Sequence, residues 1–133
     1  MRAEGPLPDL TVVIPVRNAA RLLPGCLGSV LPQRPARVIV VDGNSTDSTL
    51  DIAGRFCTTI LSDRGKGLPV ARMLGVRAAD TKYVALVDAD VVLPDGALAK
   101  LLDEFIVGGY SALQAGLYSV GGPGYWGRAL AQH

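Results

Sequence analysis

Tyr83-Val84-Ala85-Leu86-Val87-Asp88-Ala89-Asp90-Val91-Val92 is the stretch whose reading decides the fold. Its aliphatic run, Val84 to Val87, is short and stops abruptly at charge, which predicts a strand buried on both faces. Two carboxylates one residue apart beside a core are costly unless something binds them. In open α/β sheets ligands sit beyond the carboxyl ends of the strands. A Mg²⁺-like cation suits such a pair, because that ion is usually held by one or two carboxylates and completed by phosphate oxygens. A surface turn with two solvated acids is the plainer alternative, and the rest of the chain decides between them.

Upstream, the same pattern recurs. Leu10 to Ile14 reads as a buried strand stopped by Pro15, with Arg17 and Asn18 in the turn beyond it. Leu22, Leu23, Cys26, Leu27, Val30 and Leu31 then share one helical face, with Pro24 in the first turn and Pro32 and Pro35 ending the helix. Val38 to Val41 is a second strand running into Asp42. Ser45 or Thr46 is expected to cap the next helix, with Asp47 in its first turn and Leu50, Ala53 and Cys57 along its apolar stripe. Thr58 to Leu61 makes a third strand, Ser62 to Gly67 a polar loop, and Pro69 opens a helix to about Ala79 with Arg72 near its first turn.

Downstream, Asp95 is expected to cap a helix with the stripe Leu98, Leu101, Leu102, Phe105 and Ile106, ended by Gly108-Gly109. Tyr110 to Val120 reads as a fifth strand, followed by a glycine-rich turn and a helical start. Strands alternating with helices of about ten residues imply βαβ units and a mostly parallel sheet in a three-layer, Rossmann-like α/β fold. Asn18, Asp42, Asn44, Lys66, Asp88 and Asp90 would then all follow strand C-termini. Independent solvated turns have no reason to collect at one edge, so the convergence argues for a site.

Composition narrows the class. The chain has 133 residues, 49% hydrophobic and 19% charged, with a net charge of +1. That length suits one domain, and the weak net charge gives no field that would draw nucleic acid. Cys26 and Cys57 lack a framework spacing and read as reduced thiols in a cytoplasmic setting. No stretch approaches the ~18 apolar residues of a spanning helix, so no membrane span is expected.

Taken singly, the candidates are ambiguous. Asp42 can accept a hydrogen bond from a base imide or a ribose hydroxyl, or can simply form a turn before Gly43. Lys66, between Gly65 and Gly67, can reach a diphosphate, or can be a solvated loop residue. Arg72 sits at the end of a helix that disfavours cations, which a nearby phosphate would explain and an exposed helix face would not require.

Together, VVIPVRNAARLLPGCLGSVL, VIVVDGNSTDSTLDIA, RGKGLPVARMLGVRAA and YVALVDADVVLPDGAL resemble, in order and spacing, the family 2 glycosyltransferases. The resemblance covers Leu10 to about Leu102 and implies the GT-A fold and inverting transfer from a nucleotide-diphospho-sugar. It implies that Pro15 and Arg17 wrap the base and ribose, that Asp42 contacts the base, and that Lys66 and Arg72 lie near base and diphosphate. It further implies nucleotide-sugar contacts at Asp88 and Ala89, and Mg²⁺ or Mn²⁺ held by Asp88 and, principally, Asp90. The chain departs from many members in carrying Arg17-Asn18-Ala19 in the first loop. It also has Asp42-Gly43-Asn44-Ser45 where Asp-Asp-Gly-Ser is common.

Other classes fit less well. A haloacid dehalogenase-type phosphatase needs a Thr where Val92 stands, and a nucleotidylyltransferase opens with a glycine-rich loop that Ile14-Pro15-Val16-Arg17 is not. A nucleotide-sugar-binding module without catalysis is the remaining alternative. No Asp or Glu follows Glu104, so no general base is identified. Residues 1–133 are therefore expected to form one nucleotide-sugar-binding domain, the donor half of a longer enzyme. Its acceptor is open among lipid phosphate, saccharide and protein. The expected location is cytoplasmic, at the cytoplasmic face of a membrane, with self-association through apolar surface near the C-terminus.

Overall fold

A computed structural model describes residues 5–56 and 59–112 of the chain. Four parallel strands form one sheet among the described residues, β1 (Leu7–Val16), β2 (Pro35–Asp42), β3 (Thr59–Ser62) and β4 (Tyr83–Leu86), in the order β3-β2-β1-β4. The helices are α1 (Leu23–Val30) with a 3-10 extension (Leu31–Gln33), α2 (Thr49–Arg55), α3 (Leu68–Ala78) and α4 (Ala97–Gly108). Residues Val12, Ile14, Val38 and Val40 pack with Cys26, Leu27, Ala53, Leu98 and Leu102 on one face. Their neighbours Val13, Ile39 and Val41 pack with Ala71 on the other. The period-2 alternation of the two central strands thus separates α1, α2 and α4 from α3 and produces the expected three layers.

β1 runs two residues past Ile14, through Pro15. Val87 N–H donates to Val13 C=O at 3.0 Å, so alternate residues of β1 face β4 and Pro15 shares that side. β4 ends at Leu86, so the proline's missing donor falls where no ladder partner is needed, while Pro15 and Val16 stay in register with Val41 and Asp42.

Several local expectations are corrected. β4 is not buried on both faces: three of its residues are partly buried and Leu86 is 52% exposed. Among the described residues it is an edge strand, paired with β1 alone. Neither Ser45 nor Thr46 caps α2, which begins at Thr49 and buries Thr49 and Ala53, leaving Leu50 exposed. Asp47 lies ahead of that helix, not inside it. Asp95 does not cap α4; the N-cap is Gly96, with no side chain to offer. Arg72, expected near the first turn of α3, is the fifth residue of that helix. The α4 stripe is narrower than expected, with Leu98, Ala99 and Leu102 buried and Ile106 43% exposed. Phe105 still meets Tyr83 edge-to-face at 5.8 Å, which helps dock α4 on β4. The C-terminus of α4 is as expected, with Gly109 left-handed. Cys57 and most of the expected fifth strand and tail lie outside the described residues.

Gly75 shows how closely the layers approach. A Cβ there would overlap the side chain of Val13, so α3 lies on β1 at a distance only glycine permits. Among the described residues no helix is long and apolar enough to cross a membrane.

Candidate functional site

Because all four strands are parallel, the loops that leave their C-termini share one edge. Gly43 N–H donates to Val16 C=O at 2.8 Å, and Asp63 N–H to Asp42 C=O at 3.0 Å, so the ladder carries on into the loops. Three aspartates then turn the chain with their own side chains. Asp42 Oδ2 accepts from Ser45 N–H at 3.2 Å, Asp63 Oδ1 from Gly65 N–H at 2.7 Å, and Asp47 Oδ1 from Thr49 N–H at 3.0 Å. Thr49 also donates its hydroxyl to Asp47, and these bonds hold the Asp47 carboxyl below the usual carboxylate range.

The first two loops are latched to each other. Asn18, left-handed at φ 48°, accepts on its side-chain oxygen from Thr46 N–H at 2.7 Å, while its own N–H donates to Ser45 Oγ at 2.9 Å. Ala20 N–H donates to Asp47 Oδ2 at 3.2 Å. The serine expected to cap α2 is thus spent on the neighbouring loop.

Asp42 is 4% exposed, and its Oδ1 is buried without a hydrogen-bond partner among the described residues. An unsatisfied buried acceptor of this kind costs about 1–3 kcal/mol. Asp42 lines a cavity of about 390 Å³ with Asn44, Ser45, Leu50, Ile60, Leu61 and Ser62. Walls that mix Leu50, Ile60 and Leu61 with polar side chains, beside an acid with an orphan acceptor, suit a flat, partly apolar group with an N–H to give.

The loop after β3 reverses through Arg64 and Gly65, both at positive φ, closed by Lys66 N–H on Asp63 C=O at 3.1 Å. A Cβ on Gly65 would stand 2.8 Å from the Asn44 side-chain nitrogen, so the glycine lets the β2 and β3 loops touch. Asp63, 3% exposed, is a member of this edge that sequence reasoning missed. Its signal was there: it stands just past the end of β3, as Asp42 stands at the end of β2.

On the other side of β1, Val91 N–H donates to Asp88 C=O at 3.0 Å and closes a turn carrying Asp88, Ala89 and Asp90. Both carboxylates are exposed. Arg72 Nη2 lies 3.6 Å from Asp88 Oδ1. Cys26, from α1, sits beneath the turn; burial, then the nearby Asp90 and Asp88, lift its thiol from 9.0 to about 11. Pro15 is buried at the end of β1, while Arg17 and Lys66 are exposed at the same edge. With β1 between them, Asp42 and Asp88 are two inter-strand spacings apart, roughly 10 Å. The expected site residues therefore fall into two groups, a cavity of mixed polar and apolar lining at Asp42 and an acidic turn at Asp88, bridged by the β1 loop.

A family model, glycosyl transferase family 2, matches residues 11–131. The chain belongs to this family. An uncharacterised glycosyltransferase of Mycobacterium bovis is 39% identical over 97 residues, covering 71% of this chain and 43% of that protein. The chain thus spans less than half of that relative's length. Staphylococcus aureus TarS, solved in complex with UDP-GlcNAc, superposes with a TM-score of 0.74 at 22% identity, covering 87% of this chain and 36% of that one. Glucosyl-3-phosphoglycerate synthase of Mycobacterium tuberculosis was solved with Mn²⁺, UDP and glucosyl-3-phosphoglycerate. It matches with a TM-score of 0.68 at 21% identity, covering 85% and 45%. These likenesses show that the fold is that of the GT-A glycosyltransferases.

Proposed function

We propose that the chain holds a nucleotide-diphospho-sugar along this edge and forms the donor half of an inverting glycosyltransferase. The observation that carries the reading is the buried Asp42, its Oδ1 unpartnered among the described residues, at a cavity it lines with Asn44, Ser45, Leu50, Ile60, Leu61 and Ser62. A base imide N–H would satisfy it, and the loop carrying Pro15 and Arg17 would run along base and ribose. Lys66 and Arg72 would bring positive charge to the diphosphate, and Asp88 and Ala89 would lie beside the ribose and sugar. UDP and UDP-GlcNAc are bound by the structurally similar proteins named above, which supports UDP as the first nucleotide to try.

Asp88 and Asp90 suit a divalent cation, Mg²⁺ or Mn²⁺, that arrives with its substrate. The described residues hold no cluster of three His, Cys, Asp or Glu side chains that could bind an ion. Two exposed carboxylates completed by diphosphate oxygens are the donor set such ions accept. The bound cation would supply Lewis-acid stabilisation of the leaving diphosphate. Asp90 would be its main ligand, with Asp88 shared between the cation and Arg72. In the transfer, an acceptor oxygen bonds to the anomeric carbon from the face opposite the leaving group, and the bond to the diphosphate breaks. The acceptor proton goes to a base that we place outside the described residues.

A cytoplasmic setting, at the cytoplasmic face of a membrane, and self-association through exposed side chains such as Ile106, Val107 and Tyr110 belong to the same proposal. The acceptor stays open among lipid phosphate, saccharide and protein. A calorimetric panel of UDP, GDP, dTDP and CDP with Mn²⁺ tests the donor reading. One nucleotide binding at least tenfold tighter than the others is expected, and no binding by any at millimolar concentration would contradict it. Turnover of the matching labelled nucleotide-sugar against hydroxyl acceptors then separates an enzyme from a binding module.

A further inference from the structure

Cys26, Ser29 and Gln33 follow one another at intervals of three and four residues, so they share one face of α1 and its 3-10 extension. That face meets the segment running from Asp88 to the start of α4. Cys26 Sγ donates to Asp88 C=O at 3.6 Å. Ser29 Oγ accepts from Leu93 N–H at 2.9 Å while donating to Cys26 C=O at 2.8 Å. Gln33 uses both ends of its amide. Its Oε1 accepts from Leu98 N–H at 2.8 Å, and its Nε2 donates to Pro94 C=O and Ser29 C=O, each at 2.9 Å.

The partners are telling. Leu98 N–H belongs to the first turn of α4, where backbone donors lack helical partners and the N-cap Gly96 has no side chain. Gln33 therefore caps α4 from another helix, the role Asp95 was expected to fill. At the other end, Cys26 reaches the same Asp88 carbonyl that closes the carboxylate turn. The segment bearing Asp88 and Asp90 is thus tied to α1 and its extension at the first residue of the turn and again beyond it, at Leu93 and Pro94. Two like charges one residue apart repel and would splay an untethered turn.

We propose that Ser29 and Gln33 are positioning residues for the Asp88–Asp90 pair, fixing the backbone on which both carboxylates stand. They touch neither nucleotide nor cation. They set where the carboxylates point, and so the affinity for the divalent ion that accompanies the nucleotide. The inference rests on the cation reading above.

The test measures UDP binding to the 133-residue chain by calorimetry, with and without Mn²⁺, at 15 °C, where melting curves show each variant to be folded. In Gln33→Ala and Ser29→Ala, the tightening of UDP binding by Mn²⁺ falls about tenfold, as for residues that orient metal ligands. Metal-free binding at the Asp42 cavity is unchanged. Ser29→Thr, which keeps the hydroxyl, restores the effect. Gln33→Glu keeps the acceptor for Leu98 and loses the donor to the Pro94 and Ser29 carbonyls; it gives a partial loss and serves if Gln33→Ala does not fold. A merely structural role would weaken binding equally with and without metal, and that result, or an intact Mn²⁺ effect in both alanine variants, overturns the proposal. If the unaltered chain shows no Mn²⁺ effect, the cation reading itself fails and the proposal falls with it.

Discussion

Arg72 Nη2 stands 3.6 Å from Asp88 Oδ1, so a helix on one face of the sheet reaches the carboxylate beyond β4. Both side chains are substantially exposed, at 42% and 61%, and a pair so open to solvent contributes about 0–1 kcal/mol to stability. Its value lies elsewhere: it holds a cation beside the acidic turn, where a diphosphate would need one. Arg72→Ala is expected to leave the melting temperature nearly unchanged and to weaken nucleoside diphosphate binding about tenfold, with little effect on the nucleoside. Calorimetry with UDP and uridine checks this. Equal weakening of both ligands would place Arg72 at the base instead.

Asp42→Asn tests the orphan acceptor. The substitution conserves shape, but the amide must present N–H groups where the carboxylate offered only acceptors. Hydrogen bonds to charged groups contribute about 1.5–3 kcal/mol, so UDP affinity should fall by roughly 10- to 150-fold. The metal dependence of what binding remains should persist, because Asp88 and Asp90 lie on the far side of β1.

Gly75→Ala separates packing from function. Helix propensity favours alanine by about 1 kcal/mol, whereas overpacking a filled core costs about 1–3 kcal/mol. The added methyl would meet the side chain of Val13, which is fully buried on the central strand. The clash should win, and the urea midpoint should fall.

Cys26 makes a pH prediction. Its thiol is held at about 11 against an ordinary 9.0, chiefly by burial and then by Asp90 and Asp88. A folded pKa raised in this way favours the folded state fully below pH 9. That contribution, on the order of 2 kcal/mol, is lost as pH rises from 9 toward 11, because the unfolded thiol ionises first. The native thiol should resist alkylation at pH 8, and denaturant midpoints should drop across that alkaline window in the unaltered chain more than in Cys26→Ala.

What the sequence made legible was whatever local pattern determines. The β-branched runs ending in Asp42 and Asp88 gave two strands, and the repeat of strand, polar turn and helix gave the parallel sheet, hence the shared edge. What it did not disclose depends on contacts between distant segments. Ser45 looks like a cap because it precedes a helix, yet the Asn18 loop, 27 residues away, takes its hydroxyl. Asp95 looks like a cap for α4, yet Gln33 fills that role from 65 residues away. Leu86 reads as core by composition, but on the outer strand of the described sheet it is half exposed. Asp63 was overlooked because a single acid in a polar loop looks solvated, and only its place directly after β3 sets it apart.

The central claim is that Asp88 and Asp90 bind a cation together with a nucleotide held at Asp42. Its most direct test is the melting temperature of the chain with UDP, with and without Mn²⁺, beside Asp90→Asn. A ligand at about 100 times its dissociation constant adds roughly 2.7 kcal/mol, which should raise the midpoint by about 5–10 °C. UDP with Mn²⁺ is expected to give that shift in the unaltered chain. Asp90→Asn should fold normally and show only the smaller, metal-free shift. An equal shift with and without Mn²⁺, or an Asp90→Asn variant that keeps the full metal-dependent shift, would contradict the account.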